Sequence, residues 1–483
     1  MRRLYLATLF ASAVAAAAAP GPEVQQFVVT SAANIALRHV SVIDGTGADA
    51  RADQTVILSD GRITALGPAT TTAIPPGAEV RDYPGHSVLP GLVGMHDHLF
   101  YTASSAQQRI TGSVPEPGLL VVELAYSAPR LYLAAGVTTL RTTGSIEPYT
   151  DLKVRSRIEA GLMPGPRLDV TAPYLEGRMT QFAQMHELAS ADETRRFVAF
   201  WADAGMTSFK AYMHITRAEL TAATGEAHHR GLKLTGHLCS VTWPEAIAAG
   251  IDDFEHGPIY TDTEFVPNKV ADVCPDSIPQ RTAWLAEPID GPRVAALIGN
   301  LVAHHVAVTS TLPVFEVSTP GRPAVQRRVL EAMSSGARDS YLTNRAQLDP
   351  AEQWRAELLR KEMDFERAFV AAGGLLLAGP DPTGNGGVLP GFGNQREIEL
   401  LVEAGFTPTA AIQIGTENGA RFLGREREIG TLAVGKRADL ILVKGDPAAH
   451  IADIENVEVV FKDGAGYDSK ALIESVRGQV GTR

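Results

Sequence analysis

Apolar and polar positions change period along this chain, and the changes divide it. Ala36-Leu37-Arg38-His39-Val40-Ser41-Val42-Ile43 alternates and then turns at Asp44-Gly45, the pattern of a half-buried strand. Thr55 to Leu66 reads as a hairpin with Asp60-Gly61 at its turn, because that pair accepts the positive φ angles a tight turn needs. Strand-like runs return at Asp439-Leu440-Ile441-Leu442-Val443 and Val457-Glu458-Val459-Val460-Phe461. Between these β-rich ends, short apolar runs alternate with helical stretches such as Thr194 to Ala204, which Gly205 closes. Two stretches break that rhythm: one from about Tyr260 to Asp290, and one from about Val317 to Arg367 that ends in a charged helical segment from Ala351. Long excursions of this kind serve as lids or specificity loops, or equally as surface insertions and oligomer contacts.

The apolar runs of the middle share a peculiarity: they end in polar residues that bear chemistry. Ser87 to Met95 runs into His96-Asp97-His98, Thr207-Ser208-Phe209 into Lys210, and Leu232 to Gly236 into His237. Ile251 to Glu255 ends in His256, and Gly374 to Pro380 ends in Asp381. Residues i and i+2 of a strand share a face, so His96 and His98 point one way. Parallel strands alternating with helices predict an α/β fold with a (β/α)8 barrel, whose strand ends all face one mouth. The barrel is expected over residues 91–424. A composite β-sandwich is expected from 20–90 and 425–483, beside it.

On these residues the chain resembles the amidohydrolase superfamily of metal-dependent hydrolases. His-x-His after strand 1, a lysine on strand 4, histidines on strands 5 and 6 and an aspartate on strand 8 fall in that family's order. Gly430-Thr431-Leu432-Ala433-Val434-Gly435-Lys436-Arg437-Ala438-Asp439-Leu440 is similar to its return into a second domain. The nearest flavour is the prolidase-like branch, whose members hydrolyse dipeptides and N-acyl amino acids. The resemblance implies two divalent ions, zinc first, held by His96, His98, Lys210, His237, His256 and Asp381, with a shared hydroxide as nucleophile. His96 and His98 are assigned to the more buried ion, and His237 and His256 to the more exposed one. Lys210 would be carboxylated to bridge the ions; an unmodified ammonium paired with an acid is the alternative. Asp381 is the expected general base. Where the family has Gly-Thr-Asp, this chain has Gly379-Pro380-Asp381, which removes a backbone donor beside that base.

Other residues carry less specific expectations. Tyr212, two beyond Lys210, is placed at the mouth to polarise the scissile carbonyl, or else packs under the next loop. Arg141 at the end of strand 2 either holds a substrate carboxylate or forms a buried salt bridge. His186 is a further substrate-binding candidate; Tyr174, Arg178 and His214 are weaker ones on mouth loops. His228, His229, His304 and His305 precede strands, on the opposite rim, and read as structural. Met179, Met185 and Met213 are expected to pack.

Composition narrows the partners. The net charge of -12 argues against nucleic acid or an anionic membrane. A small amide with a free carboxylate remains the expected substrate, because bound metals reverse the local potential for an anion. An esterase, lactonase, carbamate hydrolase or deaminase on the same site, or a non-catalytic metal-binding protein, are the rival readings. Arg2-Arg3, an apolar run to Phe10 and alanines to Ala19 read as a cleavable signal peptide over residues 1–19. That implies a periplasmic or secreted protein with no membrane attachment after cleavage. Cys239 and Cys274 are the only cysteines, and a disulfide or two free thiols both fit. Monomer and homo-oligomer stay open.

Overall fold

A computed structural model of the chain describes residues 20–102, 121–180, 182, 184–258, 262–382 and 387–481. The signal peptide expected at 1–19 lies outside the described residues, as do the first positions of the Tyr260 excursion. No helix among the described residues is long and apolar enough to cross a membrane.

The two ends of the chain build one sheet. The strand His86–Pro90 pairs with Leu440–Lys444 antiparallel and, on its other side, with Asn34–Val42 in parallel. Nine strands follow from this join, five more from the N-terminal part and three from the C-terminal part. The hairpin Arg51–Ser59 with Arg62–Pro68 turns at Asp60 (φ 49°) and Gly61 (φ 74°), as expected of that pair. These hydrogen bonds join the strands expected of the composite sandwich, without establishing two facing sheets. Edge-to-edge pairing of N- and C-terminal strands continues a single ladder path through nine strands.

The middle contains eight parallel strands separated by helices. They are numbered β1 (Leu92–Asp97), β2 (Val137–Thr142), β3 (Arg167–Val170), β4 (Ser208–Ala211), β5 (Lys233–Gly236), β6 (Asp253–Glu255), β7 (Ala307–Ser310) and β8 (Leu376–Ala378). β1 to β3 form one parallel ladder and β4 to β8 another. Bridges Thr171 with Ser208 and Leu175 with Ala211 join the two ladders at β3 and β4. At the other seam, β8 meets β1 through the Asp381 amide, which donates to the His96 carbonyl at 3.1 Å. This is the α/β arrangement of the barrel type, but an unbroken closed ladder is not formed among the described residues. Pro380 supplies a reason: it has no N–H to continue pairing beyond β8. The seam is also tight, since a Cβ on Gly379 would fall 2.2 Å from the His96 nitrogen, so only glycine fits there.

Helices form where capping and periodicity agree. Thr216 and Thr242 each close a capping box with Glu219 and Glu245, the reciprocal bonds that satisfy free N–H groups at a helix start. The helix expected from Thr194 to Ala204 spans Ala191–Asp203, and the charged segment expected from Ala351 is the helix Trp354–Ala371. The two excursions are structured rather than open: the first carries the helix Ser277–Ala286, the second Arg327–Ala332 and Ser335–Ala346. Cys239 and Cys274 form a disulfide, which ties the first excursion to the loop after β5.

Between the helices and β7 lies a group of buried acids. Glu366 and Glu397 are fully buried, and Ser310 donates to Glu397 at 2.5 Å. Burial pushes the Glu366 carboxyl up to about 8, against the opposing pull of the Ser310 hydroxyl. Between its ordinary 4.5 and about 8, the native state therefore keeps a proton that the unfolded chain releases, so stability falls as pH rises through that window. Glu366→Gln should abolish that part of the decline. Thermal melts at several pH values should show the variant more stable by a few degrees at about pH 8 and equal to the parent near pH 4.5. A parent and variant with parallel pH profiles would rule this out.

Candidate functional site

The strand ends bring five of the six expected ligands into direct contact with one another and His237 beside them. His96 and His98 close β1 with their rings 5.3 Å apart. His98 Nε2 lies 3.4 Å and His96 Nε2 3.6 Å from Asp381 Oδ1. Lys210 Nζ, on β4, stands 3.2 Å from His96 Nε2. The His256 ring is 4.5 Å from His96 and 4.6 Å from His237. The tightest grouping of donor atoms, His96 with His256 and Asp381, lies within 4.8 Å. That grouping crosses the expected division, which put His96 and His256 on different ions.

Two backbone irregularities make this convergence possible. Glu255 and His256 are consecutive, so regular strand geometry would send them to opposite faces. His256 instead adopts φ 73°, and both side chains reach His96. Asp381 has φ 51°, just beyond the seam at Gly379. Left-handed backbone at residues other than glycine costs energy and concentrates at functional sites.

Donor chemistry fits a divalent cation. Both ring nitrogens of His98 and Oδ1 of Asp381 are buried without a hydrogen-bond partner. Desolvation holds His96 down to about 4, helped by the Lys210 charge, and keeps His98 and His256 below the usual imidazole range. Neutral imidazoles are the form that binds metal. Burial alone would raise Asp381, but His96, His98 and His256 around it hold it well below the carboxylate range, so it is ionised. Burial also pulls the Lys210 ammonium down to about 8, against the acids Glu255 and Asp381. A free amine is thus accessible near neutral pH.

Tyr212 lies beside this cluster, its ring 4.9 Å from both Tyr174 and His237. Burial raises its phenol, so the hydroxyl remains a donor. Arg141 and His186 are elsewhere. Arg141 is buried beneath the strand ends, donating to the Met95 carbonyl at 2.6 Å, Glu255 at 2.9 Å and Asp253 at 3.2 Å. Its guanidinium neutralises acids of β6 and is not available to a substrate. His186 lies on the surface, stacked on Phe197 and 3.0 Å from Glu193, the acid at the start of the next helix. Met179, expected to pack, is 77% exposed.

Sequence reasoning missed the residues that support the ligands. Glu255 approaches His96 Nδ1 at 2.8 Å, and Thr311 bonds His256 Nδ1 at 2.8 Å. Asp97, on the opposite face of β1, accepts from Asn394 at 3.1 Å, and the Tyr132 hydroxyl donates to the His98 carbonyl at 2.9 Å. A signal for the β6 acids was present. Phe254 stacks outward on Trp243, which sends Asp253 and Glu255 inward, and two inward acids require a cation.

The amidohydrolase family model matches residues 87–465. The chain is 23% identical to an imidazolonepropionase of Symbiobacterium thermophilum over 415 residues, 83% of this chain and 86% of that protein. It is 41% identical over 58 residues to a 5'-deoxyadenosine deaminase of Methanobrevibacter smithii, 12% of this chain and 13% of that protein. The matches to this deaminase and four further curated relatives span only 12% to 19% of those proteins. A solved Xaa-Pro dipeptidase with methionine bound in its active site superposes with a TM-score of 0.65 at 20% identity, over 90% of this chain and all of that one. At that identity the likeness speaks for the fold.

Arg141→Met should cost about 3 kcal/mol or more of stability, because it strands buried charge on β6. Urea unfolding measures this. A variant of unchanged stability whose KM alone rises would return Arg141 to substrate binding.

Proposed function

The chain belongs to the amidohydrolase family, and on that premise we propose that it hydrolyses a C–N bond in a small amide such as a dipeptide or an N-acyl amino acid. Membership makes it a metal-dependent hydrolase. The observation that carries the reading is the buried set of His96, His256 and Asp381, with Lys210 at 3.2 Å from His96. The fold likeness to a Xaa-Pro dipeptidase over 90% of the chain supports an amide substrate. Deamination is the second reading, favoured by the short 41% match to a deaminase. We take the eight parallel strands to act as a (β/α)8 barrel, with the terminal sheet as a second domain.

His96, His98, His237, His256, Asp381 and Lys210 would hold two divalent ions, zinc in the first instance. Bound there, such ions lower the pKa of water and polarise a carbonyl. The chain's own groups do the rest. The ionised Asp381 takes the proton of the attacking water on a carboxylate oxygen and delivers it to the leaving nitrogen. The Tyr212 hydroxyl donates to the carbonyl oxygen as negative charge builds there. Lys210, uncharged, adds to carbon dioxide and releases a proton, so that an anionic carbamate replaces a cation. We further place the protein in the periplasm or outside the cell. The basic and apolar start of the chain supports this, as does the Cys239–Cys274 disulfide, a bond that persists in oxidising compartments.

Metal analysis of the purified chain should give about two divalent ions per molecule, more than one structural site needs. Stable, full activity with one ion would end the binuclear reading. Lys210→Ala should lose metal, and divalent metal added together with carbon dioxide should reactivate metal-free parent enzyme faster as pH rises toward about 8, where the amine is uncharged. Asp381→Asn should lower kcat by about a hundredfold or more with the fold intact, since an amide cannot accept the proton. A panel of matched amides, esters and exocyclic amines, read by mass spectrometry, decides the reaction. Turnover of the amines alone would replace hydrolysis of an amide by deamination.

A further inference from the structure

The imidazoles His96 and His256 are held from behind by different chemistry. His96 Nδ1 faces Glu255 Oε2 at 2.8 Å, while its Nε2 faces Lys210 and Asp381. The same carboxylate engages Arg141 through its other oxygen, Oε1, at 2.9 Å. Arg141 is anchored in turn by two bonds to the Met95 carbonyl, immediately before His96 in the chain. A closed loop of contacts therefore runs from the backbone of β1 through Arg141 and Glu255 back to His96. All three side chains are buried to within 1% exposure. His256 Nδ1 meets the neutral hydroxyl of Thr311 at 2.8 Å and, farther off at 3.8 Å, Oδ2 of Asp381, itself a member of the cluster.

We propose that Glu255, fixed by Arg141, is a positioning residue that orients His96 and sets its strength as a metal ligand. A carboxylate at Nδ1 selects the tautomer with its proton on that nitrogen, leaving the Nε2 lone pair directed at the cluster. It also raises the basicity of Nε2, because positive charge that develops on the ring is stabilised by the anion behind it. A threonine hydroxyl orients its ring without supplying a charge. Loss of the Glu255 carboxylate behind His96 should therefore cost more metal affinity than loss of the Thr311 hydroxyl behind His256. Arg141 keeps Glu255 in place and ionised, and pairs with it tightly enough that neither side chain can rotate away alone. This inference rests on the reading of His96 as a metal ligand.

The test is titration of the metal-free, full-length chain with cobalt(II), followed by calorimetry and by the visible spectrum of the bound ion. Glu255→Gln should weaken cobalt binding by about 10- to 100-fold, the usual range for loss of such a supporting partner, and shift the visible bands. Thr311→Val should weaken it less. Glu255→Asp retains the charge against Arg141 but withdraws it from His96, and should give an intermediate affinity with the parent's circular dichroism. It decides the question even where Glu255→Gln does not fold. Parent affinity and parent spectrum in Glu255→Asp and in any folded Glu255→Gln overturn the proposal, as does a larger loss in Thr311→Val. A parent chain that takes up no cobalt overturns the metal reading itself, and this inference with it.

Discussion

Two acids lie fully buried on the inner face of β6, and the guanidinium of Arg141 makes that placement tenable. A buried carboxylate without a counter-charge costs several kcal/mol and protonates instead. Here burial and the neighbouring charge of Glu255 raise Asp253 to about 8, whereas Arg141 and His96 outweigh burial at Glu255 and hold it ionised. One acid keeps its proton and the other its charge. The charged one is the one that touches His96. Replacing Arg141 would therefore act on folding and on the site together, through one set of contacts.

The backbone is constrained as closely as the charges are. β8 approaches β1 so nearly that no side chain fits at Gly379, and Gly94 is closed off by the Asp97 carboxylate behind it. These glycines let the end of β1 sit between helix and mouth. There Asn394 and Tyr132 grip its outer face while its histidines face inward. The left-handed turns at His256 and Asp381 then bring in side chains that regular strands would have pointed away. Packing on every side holds these unfavourable conformations, which explains why they sit on strand ends and not on free loops.

How much of this was legible in the sequence follows from the range of each interaction. The convergence of the expected ligands could be read because strand periodicity and an apolar run ending in a polar residue are local signals. The hairpin at Asp60-Gly61 was readable for the same reason. Arg141 could not be placed, because its partners lie more than a hundred residues away on β6 and nothing local distinguishes a mouth arginine from a buried one. His186 is tied by a short-range contact to Glu193, seven residues on, at the surface. The pairing of the two ends into one sheet, and the break in the ladder after β8, depend on which edges meet in space. Pro380 was noted for the donor it lacks beside Asp381, but its effect on the seam needed β1 in view.

The charge inventory of the site links its two proposed modifications. With neutral imidazoles and a protonated Asp253, the cations Arg141 and Lys210 are balanced by the anions Glu255 and Asp381, so the metal-free cluster is nearly neutral. A divalent ion entering beside the Lys210 ammonium, 3.2 Å from His96, meets like charge in a desolvated space and is repelled. Loss of the lysine proton removes that repulsion, and conversion to a carbamate replaces it with attraction. Conversely, a carbamate without metal would add a second anion beside Asp381 and be disfavoured. On the proposed reading each event would lower the cost of the other, so carboxylation of Lys210 and metal uptake would be thermodynamically coupled, and by reciprocity whatever strengthened one would strengthen the other equally. Burial of Lys210 favours such a sequence, because it brings the amine within reach of deprotonation near neutral pH before any ion would arrive.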